Sequence, residues 1–386
     1  MAATRPPLHL LLTVDVETWP ASSGPPGRDF PADFRRCVLG TTPGGTHGLA
    51  CQLEILARHR LKGSFFVEPL FAGAVAGGSA WLAQTIALIR TAGQEIQLHP
   101  HTEWLAFHPT PLVPPRPRSD RMFCFDGAEQ ERIVRRGLEL LSAGGAGPIT
   151  AFRAGSFGAD DATLQALARC GIPFDTSFDP ACTGTECRIG ASRALKKPSM
   201  AFSTSGTASK AYGSLTESTD WKSVDSGGAS LPRYQPIYQR AARPPARHPV
   251  WLDGVWEFPV GRFCDRGAHE RHLQLTACSF AELAAMIRQA HRRGWTHLVL
   301  LSHSFELLNR TRTRVDPVVM DRFVRLCRFL ETNRDWVITV GFEDVDPATL
   351  GSDAGVPALR SHRGRTLWRQ GEQALRWLFE DWSHRS

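Results

Sequence analysis

The sequence predicts an α/β chain: a distorted (β/α) barrel interrupted by a long insertion. Three observations point to the barrel. Short apolar runs alternate with amphipathic helical stretches. Seven such runs can be counted, close to the eight strands of a regular barrel. Clusters of acids and histidines close several of them, where barrel enzymes place their chemistry. An open doubly wound sheet is the second choice.

The elements follow in order. Residues 8–14 read as a strand, 48–60 as a helix and 63–67 as the next strand. A helix near 79–91 precedes a strand near 94–98. A helix near 129–143, a strand near 149–153 and a helix near 160–169 continue the alternation. After a break, 251–260 read as a strand, 279–293 as a helix and 297–302 as a very apolar strand. A helix near 315–332 and a strand near 336–340 complete the series. The barrel domain is expected over residues 1–350 and a basic, Trp-containing tail over 351–386. In the tail, Leu367, Trp368, Leu375, Trp377, Leu378, Phe379 and Trp382 recur at mixed helical spacing. A helix packed on the barrel is the first reading, and a membrane-surface helix the second.

The break is residues 181–250, with ten Lys or Arg against four Asp or Glu and all three tyrosines of the chain. It reads as a partly disordered insertion, either a solvated loop or a lid on an anionic glycan carrier. A Pro-rich loop at 105–120 is placed to shape a substrate cleft.

Composition narrows the class. With 42% hydrophobic and 22% charged residues, the chain is an ordinary globular one. The net charge of +7 gathers in the insertion, which carries no nucleic-acid-binding motif, so no nucleic-acid partner is expected. No run approaches the ~20 apolar residues of a membrane span. The apolar run after Pro7 leads into acids rather than a cleavage site, so no signal peptide is expected. Nine scattered cysteines form no CxxC pair. A reduced, cytoplasmic protein is expected, with peripheral contact at the inner face of the membrane left open.

Four stretches carry the chemistry. In Thr13-Val14-Asp15-Val16-Glu17 the two acids are two apart and share one face of a continuing strand. In His99-Pro100-His101-Thr102-Glu103-Trp104, two histidines and an acid offer the ligand types of zinc and similar ions. In Arg153-Ala154-Gly155-Ser156-Phe157-Gly158, an arginine can hold a carboxylate ionised while glycines permit a tight loop beside a ligand. In Leu298 to Glu306, an aliphatic strand delivers His303, which can donate a proton near neutral pH. Each is ordinary alone. Their order, each closing a strand, is the signal.

That ordered set resembles the polysaccharide-deacetylase family, also called the NodB-homology or carbohydrate esterase 4 family, over roughly residues 8–180 and 250–345. The resemblance implies a metal-dependent hydrolase that removes an acyl group, typically N-acetyl, from a carbohydrate. Asp15 matches the catalytic base and Glu17 the acidic metal ligand, in a variant Asp-Val-Glu motif replacing the usual Asp-Asp pair. His99 matches the first histidine ligand, and either His101 or Glu103 the next. Gly63 to Val67 resembles the family's Thr-Phe-Phe strand. Arg153 matches the arginine that braces the base, and His303 the general acid, with Asp175 or Asp179 as the acid that tunes it. Trp104 and Phe157 are the candidate substrate contacts. The implied cofactor is a divalent metal, Zn²⁺ by preference. The implied partner is a carbohydrate, with lipid-linked and nucleotide-linked forms both open, in surface polysaccharide or glycan biosynthesis. Two competing readings remain: hydrolysis of a non-sugar amide, as in allantoinase-like relatives, and a non-catalytic glycan-binding barrel.

Overall fold

The computed structural model describes residues 5–20, 29–116, 120–179, 187–190, 247–266, 269–350 and 356–382. The first half runs β1 (Leu8–Val16), α1 (Phe30–Phe34), α2 (Leu49–Arg58), β2 (Ser64–Val67), α3 (Phe71–Ala74), α4 (Gly78–Thr91), β3 (Glu95–Leu98), α5 (Gly127–Ala143), β4 (Ala151–Phe152), α6 (Asp161–Arg169) and β5 (Phe174–Asp175). The second half runs β6 (Val250–Leu252), β7 (Val255–Glu257), β8 (Arg262–Arg266), β9 (His269–His272), α7 (Phe280–Arg292), β10 (His297–His303), α8 (Pro317–Thr332), β11 (Val337–Thr339), β12 (Leu359–Arg360) and α9 (Arg363–Trp382). Most of the 181–250 insertion lies outside the described residues.

Seven strands lie parallel in the order β10-β1-β2-β3-β4-β5-β7. Just past β7, Val260 bridges in parallel to Val299 of β10, so the two edges of the sheet meet. Strand β11 pairs with β1 at Leu8 to Leu10, while β2 takes the same edge at Thr13 to Val16. It wedges in as an eighth, partial strand. The fold is the distorted (β/α) barrel that the sequence predicts, and the open doubly wound sheet does not describe it.

The helices start where the sequence supplies caps. Asp126 accepts from the Ala128 and Glu129 amides while the Glu129 carboxylate accepts from the Asp126 amide, a reciprocal box that opens α5. Ser279 with Glu282 does the same for α7, and Asp316 followed by Pro317 opens α8. Each such cap contributes about 1 kcal/mol.

Period-two alternation sorts the strand side chains into two cores. On β1, Leu10, Leu12 and Val14 face outward under the helices, whereas Leu11 joins Phe66, Phe174, Phe258 and Val299 inside the ring. Phe342 plugs this inner core, with ring centroids 5.4 to 5.8 Å from Phe66, Phe174 and Phe258. The plug is fixed by Glu95, whose carboxylate accepts the Phe342 and Glu343 amides at 2.7 and 3.0 Å.

Two strand expectations are corrected. Residues 251–260 are not one strand but the hairpin β6–β7, antiparallel about Asp253 and Gly254. Their φ values of 47° and 97° are those of a type I′ turn, which Asp-Gly favours. Strand β5 was not expected, because two residues carry no readable periodicity. The tail helix is present as α9. No helix among the described residues is long and apolar enough to cross a membrane. All eight described cysteines are free.

The opposite end of the barrel from the motifs holds a histidine cluster. His297 on β10 lies 3.4 Å from His9 on β1, its register partner. Burial, with the charges of His9 and His248 beside it, lowers His297 to about 4. Asp344 faces His9 and partly offsets its own lowering. Because His297 takes up a proton less readily folded than unfolded, its contribution is complete above pH ~6.5 and is lost as pH falls toward 4. Urea unfolding of the wild type and of His297→Asn should therefore show stabilities that converge by about 2 kcal/mol between pH 7.5 and 5. A constant gap across that range would contradict the buried neutral ring.

Candidate active site

The same parity delivers the site. Thr13, Asp15 and Glu17 continue the inward face of β1 that Leu11 begins. His303 ends β10 as the register partner of Asp15. His99 follows β3 directly and Arg153 follows β4, with the Arg153 amide bonded to the Leu98 carbonyl at 2.9 Å. All four sequence clusters thus converge at the C-terminal mouth of the barrel.

Glu17, His99 and His101 form a compact set whose ligand atoms lie within 4.8 Å of one another. Glu17 Oε2 is 3.2 Å from His99 Nε2 and 2.5 Å from His101 Nε2. All three are buried. Burial alone would raise the Glu17 carboxyl, but the charge and hydrogen bond of His101, with the charge of His303, hold it well below the usual carboxylate range. Burial likewise disfavours a charged His101, and Glu17 with Glu103 overrides it, lifting the ring well above its ordinary value.

The surroundings test whether a cation fits. His99 Nδ1 lies 2.8 Å from the Arg153 carbonyl, which can only accept. Nδ1 therefore carries the proton, and Nε2 presents a lone pair toward a carboxylate oxygen. Two acceptors so placed call for a positive charge between them. Behind His101, Glu103 Oε2 stands 3.5 Å from Nδ1, the carboxylate–imidazole arrangement that orients metal-binding histidines. Two imidazole nitrogens and one carboxylate oxygen match a catalytic zinc site of three protein ligands. The chain's residues fit the metal. Of the two alternatives for the second histidine-motif ligand, His101 faces Glu17 and Glu103 sits behind it.

Asp15 lies alongside. Its Oδ1 accepts from Arg153 Nη1 at 2.5 Å, and its Oδ2 is 3.8 Å from His99 Nε2 and 4.0 Å from His303 Nε2. Arg153 is 0% exposed, so its charge must be matched inside the protein. Besides Asp15 it donates to Thr13 Oγ1 at 3.0 Å and the Thr176 carbonyl at 3.2 Å, and it lies 4.5 Å over the Phe66 ring.

His303 is held from behind by Glu306, whose Oε1 lies 2.8 Å from Nδ1. Gln274 and the Thr276 amide also donate to the Glu306 carboxylate. Burial would depress the ring, but the Glu306 bond and charge, with Glu17 and Asp15, raise it to about 9. The carboxylate bonded to His303 is Glu306, not Asp175 or Asp179. Asp175 accepts from the Ser177 hydroxyl at 2.6 Å and pairs with Glu257, and Asp179 lies 3.0 Å from His272 Nδ1.

Trp104 is also corrected. It is 4% exposed, packed among Phe30, Phe71 and Phe107, and so belongs to the core. The aromatic at the mouth is Trp19, 38% exposed, whose indole N–H donates to Glu17 Oε1 at 2.6 Å. Phe157 stands half-buried in the loop after Arg153, where Ser156 and Phe157 take successive left-handed φ values of 51° and 57°. Such strain collects at functional loops. Gly155 in that loop has no alternative, because a Cβ there would come within 2.9 Å of the His101 ring.

Glu68 was missed. It extends the inward parity of Ser64 and Phe66, and its buried carboxylate accepts the Leu70 and Phe71 amides at 2.6 and 3.1 Å and the His101 amide at 3.4 Å. Burial pushes it up to about 8. It fixes the backbone that carries His101.

Fold and site together define a (β/α) barrel with a buried two-histidine, one-carboxylate cluster at its mouth. No family model matches the chain, and no curated protein matches it. Among solved structures it is similar to a family 4 carbohydrate esterase from Streptomyces lividans in complex with acetate, at 10% identity and a TM-score of 0.37 over 92% of this chain and 98% of that one. It is also similar to a Mycobacterium smegmatis protein assigned as a polysaccharide deacetylase, at 15% identity and a TM-score of 0.43 over 92% and 97%. A shorter match, 43% of this chain and 42% of the other at 14% identity and a TM-score of 0.26, is a CE4 family pseudoenzyme from Bacillus anthracis. Those names fall in the family whose motifs the sequence resembles; the functional reading rests on the side chains themselves.

The ligand assignment predicts unequal effects behind and in front of the ring. His101→Ala should lose stoichiometric zinc by elemental analysis. Glu103→Gln should retain it with affinity lowered about 10- to 100-fold. Equal loss in both would make Glu103 a ligand.

Proposed function

We propose that the chain is a metal-dependent hydrolase that removes an acyl group, N-acetyl by preference, from a carbohydrate. One observation carries the reading: a carboxylate paired with a buried arginine and a histidine backed by a glutamate stand 4.0 Å apart beside a buried Glu-His-His cluster. A carboxylate and a histidine that both reach one small space are the groups a base and an acid require.

Glu17, His99 and His101 would hold the cation, zinc by the donor set. When bound, it supplies Lewis acidity toward an acyl carbonyl and acidifies a water. Asp15, bonded to Arg153 through Oδ1, accepts the proton of the attacking water through Oδ2, the oxygen not engaged by the arginine. His303 carries its transferable proton on Nε2, because Nδ1 is committed to Glu306. It delivers that proton to the departing sugar nitrogen. Phe305, stacked on His303 at 5.2 Å, fixes the plane of the ring. Trp19 offers an aromatic surface at the mouth, suited to the apolar face of a sugar ring. The sequence resemblance supports the sugar over a small amide and suggests glycan biosynthesis as the setting.

Removing the acid should cost rate without emptying the cluster. His303→Ala should lower kcat for acetate release from an N-acetylated oligosaccharide by about 10²–10⁴ and leave zinc stoichiometry unchanged. Wild-type kcat in that variant would overturn the assignment of the acid. Turnover of a small linear or cyclic amide in preference to the oligosaccharide would overturn the assignment of the substrate.

A further inference from the structure

Up to Arg376, the C-terminal helix is inverted relative to an ordinary surface helix. Its charged face is turned inward: Arg369 lies 3.3 Å from Asp265 and 3.4 Å from Glu282, Glu372 lies 2.9 Å from Arg322, and Arg376 lies 2.6 Å from Asp316. Three of its apolar side chains are turned to water, Leu367 67%, Trp368 66% and Leu375 53% exposed. Clustered apolar exposure of this kind marks an interaction surface.

A cavity of about 410 Å³ opens at the N-terminal end of this helix, and its lining includes Arg266, Arg360, Arg363, Ser361, Thr366 and Leu367. Asp265 also reaches the cavity, but its carboxylate is already met by His269, Arg271 and Arg369 at 2.7, 3.6 and 3.3 Å. Among the described residues no carboxylate pairs with Arg266, Arg360 or Arg363. The cavity therefore gathers three uncompensated positive charges beside the positive end of a 20-residue helix. Thr366 supplies an independent sign of a missing ligand. It is 3% exposed, and its hydroxyl has no hydrogen-bond partner. A buried, unpartnered hydroxyl costs about 1–3 kcal/mol unless something bonds to it.

We propose that this cavity binds the phosphate of an anionic phospholipid headgroup, with Leu367, Trp368 and Leu375 entering the interfacial layer of the bilayer. Arginine and hydroxyl donors suit a phosphoryl group. Leu367 lines the cavity and is followed directly by Trp368, so one ligand that is anionic at one end and apolar at the other satisfies both features. A free phosphate ion would leave the apolar face unused. The site lies on α9 and β8, apart from the barrel-mouth motifs, and does not depend on the catalytic reading.

Co-sedimentation of the full chain with vesicles tests this. Binding is expected to vesicles of equal parts phosphatidylglycerol and phosphatidylcholine, to weaken with salt, and to be absent with phosphatidylcholine alone. The double variant Arg360→Ala/Arg363→Ala should lose roughly tenfold or more in vesicle affinity. Trp368→Ser should weaken vesicle binding while leaving calorimetric binding of inorganic phosphate unchanged. Thr366→Val should also weaken binding yet melt no lower than wild type, which separates loss of the site from loss of the fold. Equal binding to both vesicle types, wild-type affinity in the arginine variant, or binding of inorganic phosphate without any vesicle binding would each overturn the proposal.

Discussion

The guanidinium of Arg153 is sealed inside the barrel, and the mouth is arranged around it. A buried positive charge is tolerated only where its hydrogen bonds and its charge are both answered. Here the answers come from several directions: Asp15 and Thr13 on β1, Thr176 just past β5, and the face of Phe66 on β2. The carbonyl of the same residue sets the tautomer of His99 after β3. One residue therefore ties Asp15, one metal-ligand candidate and most of the ring into a single arrangement. Displacing it would leave Asp15 as an unpaired charge in a dry interior, where the repulsion between Asp15 and Glu17 would be largest.

The second constraint is the contrast between two supports. Arg153 stands behind Asp15, and Glu306 stands behind His303. Each support engages the atom facing away from the mouth and leaves the other atom directed into it. Two groups that begin as register partners on adjacent strands thereby acquire partners of opposite charge at the same depth of the barrel. The backbone geometry brings them together, and the outer carboxylate and guanidinium make them different.

The site was legible where chemistry and strand parity coincide. Asp15 and Glu17 share a face because they are two apart on an extended strand, and the same rule turned His99, Arg153 and His303 inward. Parity also applied to Glu68, but a lone glutamate after an apolar strand looks like any solvated turn residue. Glu306 lay three residues past His303 in plain view, yet nothing local distinguishes a tuning acid from a surface one. Trp104 misled for the converse reason. It follows the histidine motif directly, but a short 3-10 turn over Thr102–Phe107 rolls it into the aromatic core. The barrel class was legible from alternation alone. Strand β5 and the β6–β7 hairpin were not, because the first is too short to show a period and the second hides an Asp-Gly turn inside an apolar run. The tail read as a helix, but the inward turn of Arg369, Glu372 and Arg376 depends on Asp265, Glu282, Asp316 and Arg322, which are distant in sequence.

The most direct test is anomalous diffraction at the zinc edge from crystals of the full chain grown with zinc and acetate. The account predicts one strong peak about 2.0–2.2 Å from His99 Nε2, His101 Nε2 and a Glu17 carboxylate oxygen, with acetate reaching both Asp15 and His303. Zinc bound elsewhere with those three side chains left uncoordinated, or Asp15 and His303 too far apart to touch one acetate, would contradict it.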